Sequence, residues 1–316
     1  MNLLFETRMQ GAERAAWWAA LQAALPQHQW LDGASAEAAD PARRAQVDAA
    51  VVANPAPGRL TGLPRLRLIQ SLWAGVERLL ADTSLPPEVP VARMVDPAMN
   101  AAMAQTACWA VLSLHRHFFT YAAQQLQAEW QPLPQRRADE VGVLVLGLGQ
   151  MGGTAARALA GLGYPVQGWS ATPREVPGVA CHHGEPALAG LLGAADVVVN
   201  LLPLTAATQG LFDARRLAQM KPGAGLVNLA RGGHVVEADL LAALAAGRPG
   251  HAVLDVFATE PLPAGHPFWA HPRVTVLPHA AAATDLRTAA AVVAANLQAL
   301  ADGRPLQHLA RRDRGY

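Results

Sequence analysis

Cysteine is nearly missing from this 316-residue sequence, which has only Cys108 and Cys181. Two thiols cannot build a metal cage or a disulfide framework. Cys108 lies in an apolar helical stretch and reads as a core residue. A reducing, cytoplasmic setting is expected, with no metal site. Charge is scarce and balanced: charged residues make up 16% of the chain and the formal net charge is +1. No basic tract marks a nucleic-acid partner, and the ending ARRDRGY reads as a solvated tail. No stretch approaches the roughly 18 apolar residues of a membrane span. MNLLFETRMQ has an early acid and no apolar run of signal length, so neither membrane insertion nor export is expected. Solenoid repeats and low-complexity linkers are also missing. Aliphatic residues are what the chain has in plenty. Its hydrophobic fraction of 52% suits a well-buried globular protein, and its length allows two domains.

Strand-like and helix-like segments alternate. NLLFET reads as a strand and GAERAAWWAALQAALP as a helix stopped by Pro26, with VDAAVVANP and LRLIQSL as short strands. A long helix is predicted from about Pro97 to Gln127. The near-continuous apolar run VGVLVLGL then suits a parallel strand buried on both faces. DVVVNLLPL, GLVNLA, HAVLDVF and RVTVLPH follow, with EADLLAALAAG as a helix between them. A last helix is predicted from about Thr284 to Asp302. The expected fold is α/β in two lobes: a smaller α/β domain of residues 1–97 plus 287–316, and a doubly wound parallel-sheet domain of residues 98–286 that binds a dinucleotide.

Gly147-Leu148-Gly149-Gln150-Met151-Gly152 is a GxGxxG turn between a strong strand and a strong helix, the context in which that pattern is specific. Gly147 permits the tight turn, Gly149 lets the backbone approach a pyrophosphate, and Gly152 lets helix pack on strand. The amides of Gln150 and Met151 open the helix, where an anion is favoured. The next strand ends GWSATPRE, with no acid where a ribose-binding carboxylate often stands. Ser170 and Thr172 can hydrogen-bond phosphate oxygens and Arg174 can add charge, so NADP(H) is expected over NAD(H), with NAD(H) possible.

Polar residues follow at the ends of the later strands: Arg231 in VNLARGGHVVEADLLAAL, Asp255 and Glu260 in LDVFATEPLP, and His279 in VTVLPHAAAAT. Arginine can grip a small carboxylate with two parallel bonds. A histidine beside a carboxylate forms a proton-transfer couple, the acid orienting the ring and stabilising its charged form. With these segments, LWAGVERL, WQPLP and the terminal ARRDRGY, the chain resembles the D-isomer-specific 2-hydroxyacid dehydrogenases, most of all their glyoxylate/hydroxypyruvate reductase A branch.

That resemblance implies flavodoxin-like and Rossmann-like lobes with the active site in the cleft, and a homodimer built on the cofactor domain. It implies His279 as general acid in reduction, Glu260 as its partner, and Arg231 as the group that holds the substrate carboxylate and polarises its carbonyl. The amides of Gly75 and Val76 would take the remaining carboxylate oxygen, with Trp73 in the same loop and Trp269 lining the cleft. Asp255 would meet the nicotinamide carboxamide. Leu202 and Pro203 would cover the adenosine, Thr208 would approach the phosphates and Ala230 would line the nicotinamide ribose. The branch tends to carry arginine directly after the serine; here it is Ala171, which leaves Arg174 more of the phosphate.

The expected activity is NAD(P)H-dependent reduction of small 2-oxo acids, glyoxylate or hydroxypyruvate. A dehydrogenase of larger D-2-hydroxy acids and a silent nucleotide-sensing protein are the alternatives. Trp17, Trp18, Trp109 and Trp130 read as core or dimer contacts. His182, His183, His234, His251, His266 and His271 show no ligand spacing and read as surface or strand-end residues.

Overall fold

Strings such as AAVVA and VLVL have no polar face to offer solvent, so they must be covered on both sides. The computed structural model describes residues 1–313 and 315; Arg314 and Tyr316 of the ARRDRGY tail lie outside the described residues. The chain begins with β1 (Asn2–Thr7), α1 (Gly11–Ala24), β2 (Gln29–Asp32), α2 (Pro41–Arg44), β3 (Ala49–Ala53), β4 (Leu68–Ser71), α3 (Glu77–Leu80) and β5 (Val91–Ala92). α4 (Pro97–His115) and α5 (Phe118–Leu126) lead to β6 (Val143–Leu146), α6 (Gln150–Gly161), β7 (Val166–Ser170), β8 (Ala180–His183) and α7 (Glu185–Ala194). Next come β9 (Val197–Asn200), α8 (Ala214–Gln219), β10 (Gly225–Asn228), α9 (Glu237–Ala245), β11 (His251–Leu254), β12 (Val274–Val276) and α10 (Leu286–Ala301).

Two compact units result, one of Met1–Ala98 with the chain from Thr284 onward, the other of Met99–Ala283. The first holds a parallel sheet in the order β2-β1-β3-β4-β5, the flavodoxin-like arrangement. Every residue of β3 and β4 is buried. α1 buries Trp17 and Leu21 and stops ahead of Pro26, whose ring cannot continue a helix. The C-terminal helix joins this unit through a buried bond: Asn296 of α10 donates to Gln70 of β4 at 2.8 Å. α10 starts two residues later than predicted, because Asp285 caps it by accepting the Arg287 amide at 2.8 Å.

The second unit is a seven-stranded parallel sheet, β12-β11-β10-β9-β6-β7-β8. Strand order reverses between β6 and β9, and ligands of open α/β sheets gather outside the carboxyl ends of strands at such a point. Alternate residues serve opposite faces. Leu144, Leu146, Val198 and Leu226 enter one core cluster; Val143, Val145, Val199 and Val227 enter the other. Each buried Leu or Val contributes about 1.5–3 kcal/mol, which makes this sheet a rigid base for its loops.

The helix predicted from Pro97 to Gln127 is two helices. α4 ends at His115, His117 takes left-handed backbone at φ 60°, and α5 starts at Phe118. Two side-chain engagements hold the break. The His115 ring contacts the Tyr164 hydroxyl and the Arg136 carbonyl, each at 2.8 Å, and Phe119 stacks on His251 at 4.7 Å. No described helix is long and apolar enough to cross a membrane, and no metal-binding group of His, Cys, Asp or Glu occurs among the described residues.

Candidate active site

Parallel register brings the expected site residues of the second unit into one row. Leu146 pairs with Asn200, Asn200 with Asn228, Asn228 with Leu254, and Leu254 with Val276. The strand ends are therefore level. Just beyond them stand Gly147, Leu202-Pro203, Ala230-Arg231, Asp255 and His279 in turn.

The glycine turn fits a dinucleotide phosphate by its own geometry. Gly147 has φ +95°, and a Cβ there would lie 2.6 Å from the Leu201 carbonyl oxygen. A Cβ on Gly152 would lie 1.7 Å from the Gly147 oxygen, so α6 approaches the turn as only glycine allows. At Gly149 a Cβ would meet nothing within 4 Å, which leaves an open approach to the backbone. Gly149 is the N-cap of α6 without a side-chain cap, and the first turn holds no acid. First-turn amides have no intrahelical acceptor, so Gln150 and Met151 offer donors where the helix field favours an anion.

At the end of β7, Ser170 is buried and its hydroxyl donates to the Thr172 carbonyl at 2.7 Å. Its expected role as a phosphate donor needs that hydroxyl to turn away from its own loop. Thr172 and Arg174 are exposed. Leu202 and Ala230 are buried and Pro203 is half-buried. The Thr208 hydroxyl is held in its loop too, donating to the Pro203 carbonyl and accepting the Thr205 amide, both at 2.8 Å.

Arg231 follows β10 and donates to its neighbouring Ala230 carbonyl at 2.6 Å. The glycine after it explains its closeness to the next loop: a Cβ on Gly232 would lie 1.9 Å from the Phe257 carbonyl carbon. That loop carries Glu260, whose Oε1 accepts the Phe257 amide at 3.0 Å and whose Oε2 lies 2.8 Å from His279 Nδ1. The expected Glu–His pair thus exists as a hydrogen bond across 19 residues of sequence.

His279 has left-handed backbone, φ 54°, and Asp255 holds it there. The His279 amide donates to the Asp255 carbonyl at 2.9 Å, and the Asp255 carboxylate accepts the Ala280 amide at 2.7 Å and the Ala281 amide at 3.1 Å. Burial pushes the Asp255 carboxyl above its ordinary value, while those two amides pull the other way. Sequence reasoning expected Asp255 to face a carboxamide. Here both of its oxygens serve the histidine loop and the residue is 2% exposed.

In the first unit, Trp73, Gly75 and Val76 come after β4. The Trp73 amide donates to the Ser71 hydroxyl at 3.0 Å, and Val76 is the N-cap of α3. Trp269 is 53% exposed and its ring donates to the Pro263 carbonyl at 2.9 Å. One histidine corrects the sequence reading. His234, expected at the surface or a strand end, is fully buried, its ring between the Pro203 and Arg231 carbonyls. The signal lay in ARGGHVV, where the histidine is followed directly by the apolar Val235 and Val236.

Comparison with known proteins agrees with this geometry. Residues 108–281 match the NAD binding domain of the D-isomer specific 2-hydroxyacid dehydrogenases. The chain is 39% identical to glyoxylate/hydroxypyruvate reductase A of Serratia proteamaculans over 96% of both chains. It is 37% identical to the protein of that name from Yersinia enterocolitica over 100% of both. A D-isomer specific 2-hydroxyacid dehydrogenase from Xanthobacter autotrophicus, solved with NADPH and MES, superposes with a TM-score of 0.93 at 40% identity, covering 100% of this chain and 99% of that one. An NADPH-dependent glyoxylate/hydroxypyruvate reductase from Sinorhizobium meliloti, solved with NADP and sulfate, gives 0.90 at 34% identity with the same coverage. With the glycine turn at the switch point and the row of strand-end residues beside it, these likenesses over the whole chain establish that the protein belongs to the D-isomer specific 2-hydroxyacid dehydrogenase family.

Proposed function

We propose that this dehydrogenase reduces glyoxylate or hydroxypyruvate to the 2-hydroxy acid, with NADPH preferred over NADH. The observation that carries the reading is the 2.8 Å contact between His279 Nδ1 and Glu260 Oε2, on the same edge of the sheet as Arg231 and the glycine turn. The names of the Serratia and Sinorhizobium relatives support the substrate and coenzyme.

The nicotinamide, when bound, supplies a hydride to the carbonyl carbon. Arg231 holds the substrate carboxylate with its planar fork and polarises the adjacent carbonyl. With Nδ1–H donated to Glu260, Nε2 of His279 is left to give a proton to the carbonyl oxygen, which becomes the hydroxyl. Glu260 fixes the ring and offsets its charge. Gly75 and Val76 are assigned as amide donors to a carboxylate, with Trp73 and Trp269 as substrate contacts. Gly147 and Gly152 shape the turn, Gly149 lets the pyrophosphate approach, and the Gln150 and Met151 amides take it. Ser170, Thr172 and Arg174 take the 2′-phosphate, with Leu202, Pro203, Thr208 and Ala230 along the coenzyme. Asp255 acts by holding His279, and its carboxylate has lone pairs left for the carboxamide.

Steady-state coenzyme oxidation with a panel of 2-oxo acids tests the whole reading. Highest kcat/KM is expected for glyoxylate or hydroxypyruvate with NADPH. A clear preference for a bulky 2-oxo acid would transfer the protein to the larger-acid dehydrogenases, and saturable NADPH binding without turnover would make it a sensor.

A homodimer and a cytoplasmic location complete the proposal. Trp130 is 99% exposed and Leu126 90%, and Trp109, Phe118 and Leu162, also exposed on the cofactor unit, line one depression there, apolar side chains that a second copy could cover. Sedimentation should give twice the chain mass. Cys108 and Cys181 are unpaired, which suits a reducing compartment.

A further inference from the structure

A fully buried imidazole is costly unless its polar atoms are paired, and leucine would fill the same space without that cost. The role of His234 therefore lies in what its ring meets. Nε2 lies 3.2 Å from the Pro203 carbonyl and Nδ1 3.0 Å from the Arg231 carbonyl. The Arg231 oxygen already accepts two other donors, the His234 amide at 3.2 Å and Asn228 Nδ2 at 3.0 Å. The Pro203 oxygen accepts the Thr208 hydroxyl besides the ring. A neutral ring has one N–H and both nitrogens face carbonyl oxygens, so only one of the two contacts is a hydrogen bond; the Arg231 oxygen already has two donors, and we assign the N–H to Nε2, toward Pro203.

The backbone around His234 already binds the two loops along their lower parts. The Gly210 amide donates to the Gly233 carbonyl and the Phe212 amide to the His234 carbonyl, both at 2.8 Å. The ring extends that attachment to Pro203 itself. Beneath it, Asn200 and Asn228 are fully buried, and Asn200 Nδ2 donates to Asn228 Oδ1 at 3.0 Å. A continuous polar chain thus runs from the end of β9 through the end of β10 to the Arg231 carbonyl, then through His234 to the loop of Pro203.

We propose that His234 is a positioning residue that couples the coenzyme loop at Leu202–Pro203 to Arg231, so that binding of NADPH prepares the grip on the substrate carboxylate. This rests on the assignment of those two loops to coenzyme and substrate. Coenzyme contact at Pro203 stiffens its carbonyl, the Nε2–H bond passes that to the His234 turn, and the turn fixes the Arg231 backbone through the His234 amide. The coupling is reciprocal, since an equilibrium effect of one ligand on another must be returned.

The isosteres of histidine separate the link from mere packing. Glutamine places its amide nitrogen near the position of Nε2 and still reaches Pro203; asparagine places its own near Nδ1 and does not. Binding of oxamate, an unreactive 2-oxo acid isostere, is to be measured by calorimetry on the full-length protein with and without saturating NADPH. Wild type and His234→Gln are expected to bind oxamate on the order of 5- to 150-fold more tightly with NADPH. His234→Asn, folded by circular dichroism, should lose most of that factor. Equal factors in the two variants, or none in the wild type that binds both ligands, would overturn the link while leaving the catalytic reading intact. A wild type that binds neither ligand would remove the site assignment and the link together. A second readout needs no stable variant: ring nitrogen NMR of the wild type should report His234 as the neutral Nε2–H tautomer, and an Nδ1–H tautomer would overturn the proposal.

Discussion

The amide of His279 donates to the carbonyl of Asp255 at 2.9 Å, and the carboxylate of the same aspartate takes the next two amides of the chain. Left-handed backbone at a non-glycine residue costs of order 1–3 kcal/mol, so three bonds from one buried acid explain why His279 stays in it. Asp255→Asn keeps the volume but turns one acceptor into a donor that faces an amide. A loss of about 1–3 kcal/mol in stability is expected, with a fall in kcat larger than any change in NADPH affinity. Denaturant unfolding and coenzyme titration check both. Unchanged kcat in a folded variant would mean that the clamp does not serve the histidine.

His279→Gln removes the transferable proton and should cut kcat by about 10²–10⁴. NADPH binding should survive, because no phosphate contact is touched. Glu260→Gln should fall between that variant and the wild type, since it leaves the ring but takes away the charge that stabilises it. Fluorescence titration with NADPH beside steady-state kinetics decides this. Equal kcat for Glu260→Gln and wild type would break the proposed pair.

Arg231→Lys keeps the positive charge but replaces a planar fork by a point charge. Hydrogen bonds to charged groups are worth about 1.5–3 kcal/mol, so roughly a 10- to 100-fold loss in kcat/KM for the 2-oxo acid is expected. Near-wild-type efficiency, with the fold intact by circular dichroism, argues against the carboxylate role.

Ser170→Asp puts a carboxylate at the end of β7, where it would repel a 2′-phosphate and accept from the ribose hydroxyls. The ratio of kcat/KM for NADPH over NADH should fall by about tenfold or more, near 1.4 kcal/mol. An unchanged ratio would show that the 2′-position lies elsewhere.

Asp196, just before β9, gives a stability prediction remote from the chemistry. Burial opposes its charge, but Arg136 at 2.9 Å, Lys221 at 2.6 Å and the Gly142 amide at 2.9 Å outweigh that and hold its carboxyl down at about 2. Its folded value is below its unfolded one, so its contribution is complete above pH 4 and is lost as pH falls through about 2. With partners open to solvent, the contribution is about 1–2 kcal/mol. Asp196→Asn should be less stable by that amount at neutral pH, and the two denaturation curves should converge in acid. A gap that persists at pH 2 would point to lost packing rather than charge.

The row of candidate site residues was legible without coordinates because each comes after an apolar strand whose character is local. VLVL, VVVN, GLVN and HAVL need only their own side chains to declare themselves, and parallel register then levels their ends. The GxGxxG turn was legible because only glycine permits the contacts at Gly147 and Gly152. The edge strands β2 (QWLD) and β8 (ACHH) were not, since an edge is half-solvated and carries polar residues no different from those of a loop. Three further features had no local signature. The break at His117 depends on Tyr164 and Arg136, the burial of His234 on a carbonyl 31 residues away, and the clamp of Asp255 on amides 25 and 26 residues away. Sequence alone determined which residues stand at strand ends, because hydrophobic period and turn chemistry are properties of neighbours along the chain. Only tertiary structure decided which polar atoms meet there, because a hydrogen bond between distant segments forms where the packing of whole elements puts its donor and acceptor within about 3 Å of each other.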